Sequence, residues 1–287
     1  METPFSEPFK KIKIRHFIPY AVLWFVLTIG AEFIVGIFEI SSSREEAILK
    51  TINGLLLYSL MLVFIVRKLK KNGYSLRTVF FSRDFEKIKI HHLLFILFIL
   101  IIFSISSFYV SYYPVSLIFP DFATSVVSKS RGLDSFDIKN ITTVNIIYMM
   151  TICFIAPFVE EIFFRGFLLN RLAQKKNIVF GLITSSLLFG LFHDNVLGMF
   201  GFGIVMSVLL LRTKSLHYSI LCHMCNNTIP YIIKIGDSFG TDEYESTLTI
   251  ASLRDYFPIM FIVFIISISL IIRYTYKTVK NFAIPQE

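Results

Sequence analysis

The strongest constraint on this chain is a series of long apolar runs separated by short polar segments. A membrane-spanning helix needs about 20 apolar residues, because each residue advances it by about 1.5 Å across a hydrocarbon layer of about 30 Å. Eight runs meet this requirement and predict an all-α, polytopic integral membrane protein, a single membrane domain over residues 1–287. The predicted spans are 17–40, 51–67, 92–119, 142–173, 178–194, 195–212, 214–235 and 256–274.

The basic residues lie mostly in the connections on one side of the predicted membrane. The net charge is +8, but most of the positive side chains lie in short segments between the long apolar runs, which favours orientation signals over nucleic-acid binding. With alternate connections assigned to opposite sides, 21 Lys and Arg side chains fall on one side and seven on the other. The positive-inside rule therefore predicts a cell-membrane protein with both termini in the cytoplasm.

The fourth predicted span contains two adjacent carboxylates. A charge at bilayer depth costs several kcal/mol, so their presence there indicates a function. Glu160 and Glu161 are embedded among aromatic residues, and Arg165 lies one helical turn after Glu161. At this spacing Arg165 can pair with Glu161 and hold it ionised. Glu160 points about 100° away around the helix and lacks that partner. We therefore expect separate roles for the two carboxylates, with Glu160 suited to be a general base.

Two further polar pairs lie in later spans. Phe189 and His193 share one helix face at the end of the fifth span, and His223 and Asn227 are four residues apart in the seventh. At about 1.5 Å per residue, these polar groups and the carboxylate of the fourth span lie roughly 14 to 23 Å above the cytoplasmic ends of their helices. The groups can therefore meet, which predicts a four-helix catalytic core over residues 142–235.

The same depth estimate makes the fourth helix unusually long. It must continue past the carboxylates to a basic end at Arg171, Lys175 and Lys176, so that it exceeds the length needed to cross a bilayer. We expect this helix to tilt, to bend near Pro157 or to protrude from the membrane.

These motifs resemble those of the CAAX protease and bacteriocin-processing family (CPBP, or Abi) of intramembrane proteases. The similarity covers residues 160–227, with the three motifs in the family's order. They are Glu160-Glu161-x-x-x-Arg165 for EExxxR, Phe189-x-x-x-His193 for FxxxH, and His223-x-x-x-Asn227 for HxxxN/D.

The resemblance implies an intramembrane endopeptidase and a role for each motif residue. Glu160 would activate water, His193 and His223 would position the water or the substrate carbonyl, and Asn227 would help to form the oxyanion site. The residues that would shape and support the site are Glu161, Arg165 and Phe189.

The implied chemistry is physically sensible for a buried cluster. A carboxylate can take a proton from water while imidazole and amide donors stabilise the oxyanion, and water must reach them through a polar cavity open to the cytoplasm or laterally to lipid. This interpretation requires no cofactor. A zinc-dependent version is an alternative, since Glu160, His193 and His223 could be three metal ligands beside an open position, although HExxH is absent.

Other functions and several substrates stay open at this point. The buried groups could relay protons or bind an ion in a transporter, or the chain could be a non-catalytic scaffold or immunity protein. The expected partners are membrane lipid and a membrane-associated peptide or protein, such as a prenylated CAAX tail, a bacteriocin leader or a pheromone precursor. Abundant Ile, Phe and Lys are typical of a low-GC bacterium, which favours peptide maturation or bacteriocin immunity.

Overall fold

The computed structural model describes residues 6–37, 43–81, 87–130, 143–238 and 249–283, and within these ranges it contains no β-strand. This confirms the all-α fold class. A 3₁₀ turn, Ile14–Phe17, precedes the second helix. The helices are α1 (Ser6–Phe9), α2 (Ile18–Ile37), α3 (Ser43–Lys71), α4 (Leu76–Phe80), α5 (Ile90–Ile118), α6 (Pro120–Ser130), α7 (Thr143–Lys175), α8 (Ile178–Leu191), α9 (Val196–Thr213), α10 (His217–Ser238) and α11 (Ile250–Ala283).

Six of the eight predicted spans are helices long and apolar enough to cross a membrane, among the residues described. These segments are Ile14–Ala31, Ile48–Lys71, Ile90–Ile118, Thr143–Lys175, Val196–Thr213 and Ile250–Lys280. The other two predicted spans correspond to α8, which has only 14 residues, and to α10, which carries polar side chains in its middle. The chain is therefore polytopic, and these two predicted spans carry four of the predicted site residues, Phe189, His193, His223 and Asn227.

Helix α7 is continuous but contains two wide turns of π-helical geometry, Thr151–Ile155 and Glu161–Leu169. In the first of these the Ala156 N–H donates to the carbonyl of Thr151, five residues earlier. In the second, the Asn170 side-chain amide donates to two backbone carbonyls of the wide turn, at 2.9 and 2.7 Å. Wide turns of this kind occur frequently at functional sites, and the second one begins at a motif carboxylate.

Aromatic rings close the end of the bundle that we call the basic face, where the connections rich in Lys and Arg lie. The Phe9 ring packs against those of Phe80 and Phe167, with centroid distances of 5.8 and 5.5 Å, and Phe64 packs against Phe167 at 5.4 Å. All four side chains are fully buried. A β-carbon at Gly166 would lie 2.5 Å from the Phe80 ring, so glycine is needed for this close approach. The N-terminal segment is thus part of the core that supports α7.

Helix α9 packs closely against α5 and α8 through glycines. A β-carbon at Gly201 would lie 2.2 Å from the Phe103 ring of α5, and one at Gly203 would lie 2.9 Å from the β-carbon of Ser186 on α8. Small residues let membrane helices approach each other in this way. This packing fixes the position of α9 relative to α8 and so also the position of the turn that joins them.

Candidate active site

Glu160 lies in the middle of α7 and contacts side chains from two other helices. The Tyr58 hydroxyl of α3 donates to Oε1 at 3.0 Å, and Nε2 of His223 on α10 lies 3.7 Å from Oε2. The side chain of Glu160 is 12% exposed, whereas that of Glu161 is completely buried. Three helices therefore converge on one carboxylate that keeps a small opening to its surroundings.

Glu161 occupies a different environment, as its position around the helix predicts. Its Oε1 lies 2.8 Å from Nη1 of Arg165 and 3.0 Å from Nδ1 of His223. Both partners are buried, so the ion pair expected from the sequence spacing is present and enclosed. Because a carboxylate paired with an arginine accepts hydrogen bonds, we assign the His223 proton to Nδ1. The lone pair of neutral His223 then sits on Nε2, which faces Glu160.

Phe189 forms a platform under the charged and imidazole groups. The Arg165 guanidinium lies over its ring, 4.2 Å from the centroid. The rings of His193 and His223 pack against it with centroid distances of 4.5 and 5.8 Å, and Phe202 of α9 contacts His223 from another side at 4.9 Å. The aromatic residue of the second motif thus holds both histidines and the arginine in fixed relative positions.

His193 lies just after the end of α8, in the turn before α9. Its Nδ1 is 2.7 Å from the carbonyl of Phe189, so we assign the proton of the neutral ring to Nδ1. The imidazole interacts electrostatically with Glu160, His223 and Arg165. His193 therefore belongs to the same cluster as the two carboxylates, at its more exposed edge.

Contacts from α5 hold this turn in place. The Tyr112 hydroxyl donates to the carbonyl of Asp194 at 2.5 Å, and the Asn195 amide donates to the carbonyl of Ser104 at 2.8 Å. The Asn195 side-chain oxygen accepts the Gly198 N–H at 3.0 Å and caps α9. These bonds locate His193 relative to the rest of the bundle.

Asn227 lies one turn beyond His223, and it is bonded to the backbone of α7. Its side-chain amide donates to the carbonyl of Ile152 at 3.0 Å, and the Cys153 thiol lies 3.7 Å from the Asn227 backbone carbonyl. Asn226 donates to its side-chain oxygen at 3.4 Å. Within the described residues, none of these hydrogen bonds reaches Glu160 or a histidine. The geometry therefore gives Asn227 a bracing contact that the sequence did not predict.

Tyr58 could not be identified as a site residue from the sequence. This residue lies in the second predicted span, 102 residues before Glu160, in the part of the chain that carries none of the motifs. A tyrosine in an apolar run is ordinary, and the sequence offered no spacing that joins it to the later motifs. Only the packing of α3 against α7 reveals the contact.

The arrangement of the possible metal ligands can be compared with what the zinc alternative requires. Among the residues that the structure describes, no group of three His, Cys, Asp or Glu side chains is arranged to hold a metal ion. Glu161 already shares one oxygen between Arg165 and His223. The proposed ligand set of Glu160, His193 and His223 would have to move to coordinate zinc.

Comparison with known proteins agrees with the motifs. Residues 142–229 match the family described as Type II CAAX prenyl endopeptidase Rce1-like. The chain is also 29% identical over 96 residues to the Bacillus subtilis protein named "Putative membrane peptidase YdiL", an alignment that covers 32% of this chain and 39% of that relative. No solved structure matches the chain at a significant level. Residues 142–229, which contain all three motifs, are therefore similar to the Rce1-like CAAX prenyl endopeptidases, and this supports the motif resemblance. The chain spans about two fifths of the length of the relative that it matches.

Proposed function

We propose that this chain is an intramembrane endopeptidase that hydrolyses a peptide bond of a membrane-associated protein or peptide precursor, with Glu160 as the general base. One observation supports this assignment above the others. Oε2 of Glu160 and Nε2 of His223 face each other at 3.7 Å, while Glu161 is engaged by Arg165 and by the other nitrogen of His223. Glu160 is thus the carboxylate that is free to accept a proton.

A water molecule beside the two facing acceptors can bridge them. At a separation of 3.7 Å, one water can donate one hydrogen bond to Oε2 of Glu160 and the other to Nε2 of His223. As the water oxygen attacks the peptide carbonyl carbon, its proton passes to Glu160 and the carbonyl oxygen becomes an oxyanion. Glu160 then delivers that proton to the amide nitrogen as the oxyanion reverts to a carbonyl and the C–N bond breaks, so that the products are a carboxylic acid and an amine.

The remaining groups are assigned supporting roles. Tyr58 holds Oε1 of Glu160 and so directs Oε2 toward His223. His193 faces the cluster from its exposed edge and orients the substrate backbone. One N–H of the Asn227 amide is bonded to Ile152, and the other N–H is the candidate donor to the oxyanion.

A cleavage assay on the purified full chain in proteoliposomes tests the proposal. Two fluorogenic probes are used, a farnesylated CAAX peptide, because the matched family is described by prenyl endopeptidases, and a lipid-anchored peptide without the prenyl group. We expect turnover of at least one probe and a loss of about 10²- to 10⁴-fold in Glu160→Gln, the usual contribution of a general base. The variant should keep the wild-type unfolding temperature, because the amide oxygen still accepts from Tyr58.

The same assay distinguishes the metal-dependent version. Wild-type activity should be unchanged by 1,10-phenanthroline and by EDTA. Inhibition by chelator that added zinc reverses would replace the glutamate mechanism with a zinc mechanism. Full activity in Glu160→Gln would contradict the assignment of the base.

A further inference from the structure

An apolar groove with a volume of about 60 Å³ lies between α5, α9 and α11, and no motif residue lines it. Four side chains of α5, three of α11 and Val205 of α9 form its walls, and all are apolar except for the hydroxyl of Tyr274. Leu100 and Val205 are buried, whereas the Phe95 side chain is 55% exposed. Because these helices are long enough to span the membrane, the exposed side of the groove faces lipid.

The groove lies in the half of the membrane next to the basic face. Helix α5 begins there at Ile90, and its groove-lining residues follow at about 8–15 Å along the helix. Val205 lies about 12 Å before the end of α9 at Thr213. Both helices therefore place the groove beside the acyl chains of that leaflet.

Each of the three helices carries an exposed basic side chain two turns closer to the basic face. Seven residues make almost two helical turns, so a residue seven positions from a groove-lining residue lies on the same side of its helix, about 10 Å along it. The three pairs, in which the first member lines the groove, are Val205 with Arg212, Leu270 with Lys277, and Ile99 with His92. We call Arg212, Lys277 and His92 the basic rim.

The contacts of Tyr274 connect the basic rim with the groove. Its side chain lines the groove, and its buried hydroxyl interacts electrostatically with Arg212. Helices α5 and α9 contain no Asp or Glu, and α11 contains none after Asp255. The three helices that form the groove therefore present only positive charge at its cytoplasmic end.

The basic rim gives the groove a preference among lipids. Every phospholipid of the bilayer has acyl chains, so an apolar groove alone would not distinguish one from another. Arginine and lysine attract a phosphate whose charge no ammonium group of the same lipid compensates, and the guanidinium can bind two phosphate oxygens at once. Basic sites between membrane helices on the cytoplasmic side bind anionic head groups in this way.

We propose that the groove and the basic rim form a binding site for an anionic glycerophospholipid of the cytoplasmic leaflet. One acyl chain lies in the groove, and the phosphate lies between Arg212, Lys277 and His92. The leaflet follows from the distribution of 21 against seven basic residues, which puts the basic face in the cytoplasm. The site does not depend on the proposed protease function.

Native mass spectrometry of the purified, delipidated full chain tests the site. The chain is titrated with dioleoyl phosphatidylglycerol and with dioleoyl phosphatidylcholine, which differ only in the head group. A contribution of about five-fold from each of Arg212 and Lys277 predicts that the first lipid binds about 25-fold more tightly than the second. Each single change, Arg212→Gln or Lys277→Gln, should weaken phosphatidylglycerol binding by about five-fold, and in the double variant the two lipids should bind about equally.

Two matched pairs of variants separate the site from general attraction to the basic face. Arg67→Gln with Lys70→Gln removes the same two kinds of side chain from the cytoplasmic end of α3, which does not line the groove, and should leave the preference intact. Leu270→Trp fills the groove without changing the charge and should weaken phosphatidylglycerol binding. Its control is Leu94→Trp, at an exposed position of α5 outside the groove.

The remaining controls concern folding and catalysis. All of these variants should keep the wild-type unfolding temperature before lipid is added, and Glu160→Gln should bind both lipids as the wild type does. Equal binding of the two lipids to the wild type would overturn the proposal. The same holds for an equal loss of binding in the α3 variant, which would indicate diffuse attraction, and for unchanged binding in Leu270→Trp, which would put the lipid outside the groove.

Discussion

The side-chain amide of Asn227 donates to the backbone carbonyl of Ile152 at 3.0 Å. The first wide turn of α7 and Pro157 together explain why that carbonyl needs a partner. The N–H of Ala156 donates to the Thr151 carbonyl and is therefore not available to Ile152. The residue five positions after Ile152 is Pro157, which has no N–H to donate. An unsatisfied carbonyl in a membrane helix costs several kcal/mol, and Asn227 supplies the missing donor from α10.

This bracing role predicts a dependence on Pro157. Asn227→Leu should lower the free energy of unfolding by about 1–3 kcal/mol, because it leaves the partly buried Ile152 carbonyl without its side-chain donor. In a Pro157→Ala background the new backbone N–H can reach this region, so the same substitution should cost less. A double-mutant cycle from unfolding in detergent measures the difference, with Asn226→Leu as the neighbouring control. Additive effects would mean that the contact does not serve the carbonyl.

The two adjacent glutamates should respond differently to the same substitution. Glu161→Gln leaves the Arg165 charge buried and uncompensated, which typically costs about 3–5 kcal/mol, whereas Glu160→Gln removes no ion pair with Arg165. The apparent unfolding temperature should therefore fall in Glu161→Gln and stay near wild type in Glu160→Gln. Adding Arg165→Met to Glu161→Gln should restore most of the loss. A stable Glu161→Gln single variant would contradict a structural ion pair.

Loss of the Tyr58 hydroxyl should weaken turnover without unfolding the protein. A hydrogen bond to a charged group is worth about 1.5–3 kcal/mol, which corresponds to about a ten- to hundred-fold decrease in kcat for Tyr58→Phe. KM should change little, because Tyr58 contacts the base rather than the substrate. The matched control is Tyr148→Phe, which removes a nearby tyrosine hydroxyl on α7. Equal effects of both variants would argue for a general packing role.

The close contact between Gly166 and Phe80 should be sensitive to a single methyl group. Gly166→Ala puts a β-carbon 2.5 Å from the Phe80 ring, and overpacking of this kind typically costs about 1–3 kcal/mol. The added methyl should be tolerated better when Phe80→Leu removes the ring. Thermal unfolding of both single variants and of the double variant measures this coupling. A neutral Gly166→Ala would show that α4 moves freely relative to α7.

The parts of the site that helix periodicity controls were predictable, and the contacts between distant helices were not. The pairing of Glu161 with Arg165 follows from four-residue spacing on one helix. The contact of Tyr58 with Glu160 depends on how α3 tilts and rotates against α7, and no pattern within either helix specifies that. The contact of Asn227 with the Ile152 carbonyl could not be predicted for a related reason. It depends on the backbone donor that Pro157 lacks, and this matters only because of the hydrogen-bond pattern of the first wide turn of α7.

The buried position of Phe9 has a consequence for how this protein is made. Its ring packs against Phe167, which leaves the ribosome about 160 residues later, or roughly ten to thirty seconds at ordinary rates of synthesis. During that interval Phe80 can already be present, but the amino-terminal segment lacks the α7 surface that Phe167 provides. It must wait until the fourth long hydrophobic segment has entered the membrane, which makes closure of the aromatic layer a late event in biogenesis.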